Sequence, residues 1–290
     1  MTQALEVRDL AKSYGDFRLD GISFDLPMGQ VMGFVGRNGA GKTTTIRLIL
    51  NMARRAGGQV RVFGLDSLSH ELALRQEVGV VFDEIFFVDI WKVRQVEQAI
   101  AGFYQHWDSR LFKDYLYRFG LHPDKPVKDL SRGMKMKLML AAALSHQARL
   151  LILDEPTSGL DPVARDELCD ILEDYVTPGD RSVFFSTHVT SDLERIADYL
   201  TVIERGRLFY SGSKVGLEGH FRIVKGQPSD LTSELTQEMI GLTVNRSGFR
   251  GMLPAAVASM LPAGLSIEQP TIDEVLISIS KGAPRHEASF

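Results

Sequence analysis

The octapeptide GRNGAGKT, Gly36–Thr43, constrains this chain more than any other stretch. It has the form G-x-x-x-x-G-K-[ST], the pattern of a loop that cradles phosphate groups. The glycines Gly36, Gly39 and Gly41, with Asn38 between them, let backbone N–H groups curl around phosphate oxygens. The N-terminus of a following helix, at Thr43 and Thr44, adds a favourable dipole. Lys42 is placed to reach the β- and γ-phosphates, and the Thr43 hydroxyl to ligate Mg²⁺. A glycine-rich structural turn is the plain alternative. The flanks favour phosphate binding: the apolar strand QVMGFVG (30–36) runs in, and TTTIRLILNM (43–52), with helical spacing of its apolar residues, runs out.

The same alternation continues downstream. RLLILDEP (149–156) is an unbroken apolar run ending in acids, as expected of a parallel strand buried on both faces. RSVFFSTH (181–188) reads the same way, with helices expected at about 162–175 and 190–197. Ile22, Phe24 and Leu26 alternate with polar residues, so the first thirty residues read as half-buried strands. Residues 86–148 read as mostly helical, and TVIERGRLFYSG (201–212) as a hairpin around Arg205-Gly206. The expectation is an α/β fold with a largely parallel sheet over residues 1–215. A small α+β appendage is expected over 216–290, with strands at 241–244 and 265–268, helices at 254–260 and 272–279, and a disordered end.

Composition narrows the function classes. Lys and Arg number 33 against 37 Asp and Glu, a formal net charge of −4, which argues against a dedicated nucleic-acid binder. The single cysteine, Cys169, forbids an internal disulfide and fits a reducing compartment. It reads as a helix packing residue. The acidic, charge-broken start is unlike a signal peptide, and no apolar run approaches membrane-spanning length. No Cys/His cluster suggests zinc.

At the carboxyl edge of a parallel sheet, where open α/β sheets bind ligands, Asp154 is a candidate Mg²⁺ ligand and Glu155 a candidate for polarising an attacking water. In DLSRGMKMK (129–137), Ser131 is a natural N-cap and Gly133 exposes backbone donors. GRNGAGKTT, LSRGM, LLILDEPTSGLDP and STH, in this order, resemble the nucleotide-binding subunits of ABC transporters. The resemblance covers about residues 1–215. FYQHWD (103–108) and LSRGMKMKL are most similar to bacterial multidrug or peptide exporter ATPases whose permease is a separate chain, and QPTIDEVLISISKG (269–282) resembles their closing segment.

The resemblance implies a P-loop ATPase fold of the ABC type, with an N-terminal antiparallel β subdomain and a helical subdomain. It implies ATP and Mg²⁺ as ligands, and an integral-membrane permease as partner at the inner face of the cell membrane, with the chain itself cytoplasmic. It implies a head-to-tail dimer with a copy of itself or a second ABC ATPase, and no nucleic acid. Residue by residue, Tyr14 would stack on adenine, and His188 would contact the γ-phosphate. Ser131 and Gly133 would contact the γ-phosphate bound to the opposite protomer. Asp161 would lie on the loop crossing the dimer interface, although Asp161-Pro162 is also a good helix start. Lys42, Glu155 and His188 would carry catalysis. A soluble non-transport ATPase and a nucleotide-sensing regulator are the alternatives.

Two departures from the family pattern stand out. The usual LSGGQ is LSRGM here, so that Arg132 and Met134 replace Gly and Gln; an added cation near anionic ATP should be tolerated. A glutamine near Mg²⁺ and the attacking water is replaced, in VGVVFDEIF, by Asp83. Asp83 is therefore expected to sense Mg²⁺, directly or through water; the alternative is that Glu84 beside it, or neither residue, fills that place. The aromatics Phe86, Phe87 and Trp91 that follow read as core, or as part of a groove receiving a permease helix.

Overall fold

A computed structural model describes residues 2–84, 86–262 and 264–282. The chain divides into two compact units, residues 1–208 and 209–290. The extreme C-terminus expected to be disordered lies outside the described residues from position 283 onward.

The first unit opens with β1 (Gln3–Tyr14), β2 (Phe17–Pro27), β3 (Val31–Val35), α1 (Lys42–Ile49), β4 (Gly57–Val62) and β5 (Leu65–Asp66). It continues with α2 (Glu71–Glu77), β6 (Val78–Val81), α3 (Val93–Ile100), α4 (Ser109–Arg118), α5 (Arg132–Ser145) and β7 (Leu150–Asp154). It closes with α6 (Pro162–Val176), β8 (Ser182–Thr187), α7 (Thr190–Ile196) and β9 (Tyr199–Glu204). Strand β10 (Arg207–Ser213) then carries the chain out of this unit. Four of the strands form an antiparallel sheet in the order β2-β1-β4-β5. A six-stranded sheet runs β10-β9-β3-β8-β7-β6, and its β9-β3-β8-β7-β6 ladder is parallel. This is the α/β architecture that the alternation of apolar strands and helices implies.

The parallel strands form because their residues can be buried on both faces. Every residue of VMGFV, LLILD and SVFFST is buried, whereas β1 and β2 alternate between core and solvent. One apolar core ties the two sheets together. Phe24 of β2 packs on Phe34 of β3 and Phe184 of β8, with ring centroids 5.0–5.6 Å apart. Burial of three such rings is a large apolar contribution in a single cluster. At Gly33 a Cβ would meet the Leu193 side chain of α7 at 2.4 Å, so a side chain there would force that leucine to move.

The second unit contains α8 (Lys214–His220), β11 (Phe221–Gly226), α9 (Ser233–Glu238), β12 (Ile240–Asn245) and β13 (Gly248–Pro254). It ends with α10 (Ala255–Ala258), β14 (Ser266–Glu268) and α11 (Ile272–Lys281). Its sheet runs β12-β13-β11-β14, antiparallel throughout. It has its own core, which includes Val224, Leu235, Met239, Phe249 and Leu253. Ile272, Val275 and Ile279 are the buried face of α11, and Thr271 caps that helix in a reciprocal capping box with Glu274. The two longest ladder partners, β11 and β13, were not expected. GFRGMLP, with two glycines and a proline, lacks the alternation by which a strand is read, and the helix expected over 254–260 is the shorter α10.

Candidate nucleotide site

The register of the parallel sheet decides what meets at its carboxyl edge. Val35 pairs with Thr187, and Asp154 with Ser186, so β3, β7 and β8 end side by side. The loop after β3 carries Gly36–Gly41, the residue after β7 is Glu155, and the residue after β8 is His188.

The loop 36–41 turns into α1 at Gly41, whose φ of 113° is in the left-handed region and where a Cβ would meet the Phe17 ring at 2.9 Å. No side chain caps α1, so its first N–H groups are presented to whatever binds there. Asn38 and Gly39 are exposed, and Thr43 and Thr44 are half-buried in the first turn. Lys42 folds back over its own loop: its Nζ donates to the Gly36 carbonyl at 2.7 Å and lies 3.1 Å from Glu155 Oε1. Lys42 is only 6 % exposed, and a buried ammonium needs such a counter-ion.

Glu155 is the junction of the site. Its backbone has φ 51°, rare for a residue with a long side chain. That conformation turns the chain sharply off β7. The Glu155 N–H donates to the Ser186 carbonyl at 3.0 Å. While Oε1 meets Lys42, Oε2 lies 2.7 Å from His188 Nδ1 and accepts from the His188 backbone N–H at 3.3 Å. The neighbouring Asp154 is buried, and Ser186 Oγ donates to its Oδ1 at 2.6 Å, which fixes the direction of the carboxylate. Ser186 was missed from the sequence. Only its register opposite Asp154 marks it.

The remaining candidates lie on neighbouring loops. Tyr14 ends β1, half exposed, with Lys12 Nζ 4.8 Å from its ring centroid. Ser131 caps α5, its Oγ accepting from the Met134 N–H at 3.3 Å. Gly133 lies in the first turn of that helix, where a Cβ would meet Leu160 at 3.1 Å. Asp161 caps α6, accepting from the Val163 and Ala164 N–H groups at 3.0 Å each. Those donors, Ala164 first, hold its carboxyl below the usual range.

Asp83 stands apart from this network. Its partner is the guanidinium of Arg132, and the same Nη2 donates to Ser158 Oγ at 3.1 Å. The cation expected to face ATP is thus directed at the acid expected to sense Mg²⁺. The two departures from the family pattern meet in one ion pair, which neither residue announces alone.

Beside the aromatics that follow Asp83 lies a cavity of about 570 Å³. Its lining includes Phe82, Phe86, Phe87, Phe103, Tyr104 and His146. Phe86 is 67 % exposed and packs edge-on against Phe82 at 5.5 Å. Phe86 and Phe87 line this groove, whereas Trp91 is partly buried elsewhere in the loop.

The ABC transporter family profile matches residues 19–158. The chain is 32% identical over 214 residues to the bacitracin transport ATP-binding protein BcrA of Bacillus licheniformis, covering 72% of this chain and 69% of that one. It is 29% identical over 317 aligned positions to the daunorubicin/doxorubicin resistance ATP-binding protein DrrA of Streptomyces peucetius, covering 99% and 95%. A solved ATP-binding subunit of an ABC transporter superposes with TM-score 0.69 at 25% identity, covering 74% of this chain and 92% of the other. With the P-loop and the strand-end acids inside the matched span, the chain belongs to the ABC transporter family, as one of its ATP-binding, ATP-hydrolysing subunits.

Proposed function

We propose that this chain energises export by a separate membrane permease, two ATPase subunits closing around ATP and reopening after hydrolysis. The observation that carries this reading is the Lys42–Glu155–His188 network at the carboxyl edge of the parallel sheet. Relatives named for bacitracin transport, Nod factor export and daunorubicin/doxorubicin resistance support the direction of transport. Among the described residues no helix is long and apolar enough to cross a membrane. In this reading the membrane path belongs to a partner permease, which would hold this chain at the inner face. The aromatic-lined cavity beside Asp83 suits an amphipathic helix of that partner. Two copies, or one copy and a second ABC ATPase, would form the dimer, with Ser131, Gly133 and Asp161 facing the opposite nucleotide and Tyr14 the adenine.

The donor set fits Mg²⁺. Thr43 and Asp154 offer a hydroxyl and a carboxylate oxygen, hard ligands on adjacent elements. Among the described residues no group of three or more His, Cys, Asp or Glu forms a cage. Mg²⁺ commonly takes one or two protein ligands and completes its shell with water and phosphate. Bound there, Mg²⁺ would neutralise charge on the phosphates. Phosphate oxygens compete with Glu155 for Lys42, and the released carboxylate accepts a proton from water. The water oxygen bonds to the γ-phosphorus, the bond to the ADP oxygen breaks, and ADP departs. Lys42 and His188 stabilise the charge spread over the transferring group.

Glu155→Gln keeps the shape and the His188 contact but cannot take the proton. Steady-state hydrolysis should fall by about 10²- to 10⁴-fold, while ATP binding persists and the ATP-bound dimer accumulates on size-exclusion chromatography. Hydrolysis at the wild-type rate would overturn the assignment of the base.

A further inference from the structure

Arg132 sits where three loops meet. It is the first residue of α5. Its guanidinium pairs with Asp83, two residues beyond the end of β6, and donates to Ser158 Oγ in the turn after Glu155. Its side chain also lies against Gly159, whose φ is 75° and where a Cβ would meet Arg132 Cδ at 3.0 Å. The turn it touches is held by two short-range bonds: Ser158 N–H to the Glu155 carbonyl at 3.0 Å, and Leu160 N–H to the Thr157 carbonyl at 3.1 Å. On the far side, Asp83 follows Phe82, which lines the apolar cavity. One side chain therefore joins the cavity-lining loop to the turn that carries Glu155.

The pair is not an ordinary stabilising salt bridge. Arg132 and Asp83 are 54% and 42% exposed, and ion pairs so placed add little to global stability. What it adds is direction. Arg132 has several donors on a planar fork. Here a single nitrogen, Nη2, makes both contacts, so the Asp83 carboxylate that holds it also aims it at Ser158. Without that anchor, an exposed arginine samples many rotamers, and the hydrogen bond to Ser158 is lost with them.

We propose that Arg132 and Asp83 act as one positioning unit, which orders the Ser158–Leu160 turn and so sets the aim of Glu155 during ATP hydrolysis. This rests on the ATPase reading above. Asp83 acts only through Arg132, and its substitution should be silent once Arg132 is gone.

The test is a double-mutant cycle with Asp83→Ala, Arg132→Ala and the pair together, read two ways. Amide hydrogen exchange without nucleotide is the first: Ser158 and Leu160 should exchange about fivefold faster than wild type in each single variant and, alike, in the double. Steady-state ATPase activity is the second: kcat should fall about fivefold in each, and about fivefold in the double, with KM for ATP within about twofold of wild type. Arg132→Lys, which keeps the charge but not the fork, should recover less than half of the lost kcat. Thermal midpoints should be unchanged in all variants. Additive losses near 25-fold in the double would overturn the proposal, as would a silent Asp83→Ala or unaltered exchange at Ser158 and Leu160. If wild-type protein shows no Mg²⁺-dependent ATPase activity, the functional reading fails, and the exchange cycle still decides whether the unit exists.

Discussion

His146 shows how much a single residue can add to the pH response of this fold. It closes α5, 2% exposed, with its ring stacked on Tyr104 at 4.0 Å. Burial pushes its pKa down to about 4, and the nearby Gln76 backbone, pulling upward, does not offset this. The folded protein therefore holds His146 neutral where the unfolded chain, near 6.5, would protonate it. Below pH 6.5 the unfolded state binds more protons, so stability falls as pH drops from 6.5 towards 4, by up to about 3 kcal/mol from this group. His146→Leu should flatten that part of the profile in urea titrations at pH 7, 6, 5 and 4. An unchanged slope would rule out His146 as the cause. At this scale the sequence is partly legible. Lys42, Asp154 and Glu155 announce themselves by pattern. The Lys42–Glu155 contact, the Ser186 hydroxyl on Asp154 and the Arg132–Asp83 pair do not, because each depends on which strand ends are neighbours. A residue's period along the chain does not carry that information.

Elements inherit two demands where their ends face the site, and Ser131 illustrates both. It caps α5, and the family resemblance also gives it a phosphate contact. Ser131→Ala should cost about 1 kcal/mol of stability through the lost cap, and Ser131→Asn almost nothing, since asparagine caps as well as serine. Chemical denaturation measures that difference. If the hydroxyl also binds phosphate, both variants should lower ATPase activity despite their different stabilities; a fully active Ser131→Asn would leave the residue a cap alone. Strands β3, β7 and β8 were readable because burial on both faces leaves an unbroken apolar run, and α6 because Asp161-Pro162 opens it. Strand β13 was not, since GFRGMLP, interrupted by glycine, has no period to detect, and β11, FRIVKG, is too short and too mixed to show one.

Across the whole molecule, the candidate site keeps to one of the two units. Every candidate site residue lies within residues 1–208, and the unit over 209–290 has its own sheet and its own core. Leu253, fully buried there, offers the cleanest probe. Leu253→Ala should destabilise its unit by about 2–5 kcal/mol while basal ATPase activity of the purified chain stays within about twofold of wild type. A large loss of basal activity at a temperature where the variant remains folded would show that the second unit takes part in the chemistry. The family resemblance covers mainly the first unit, and Gly36–Thr43, Asp154, Glu155 and His188 all fall within it.

The pairing of β3 with β8 also governs how this protein can be made. Val31 must wait for Val183 and for Tyr199, opposite Met32, before its strand has neighbours. On a ribosome that is roughly 150 residues of further synthesis, about 8–30 s at ordinary elongation rates. The β1–β2 hairpin can close at once, whereas β3, an apolar strand with two unpaired edges, is left exposed throughout. A nascent chain of this kind depends on chaperones most acutely between those two moments. A premature stop between the phosphate loop and β8 leaves a product with a complete loop and no partner for β3, the strand that carries it.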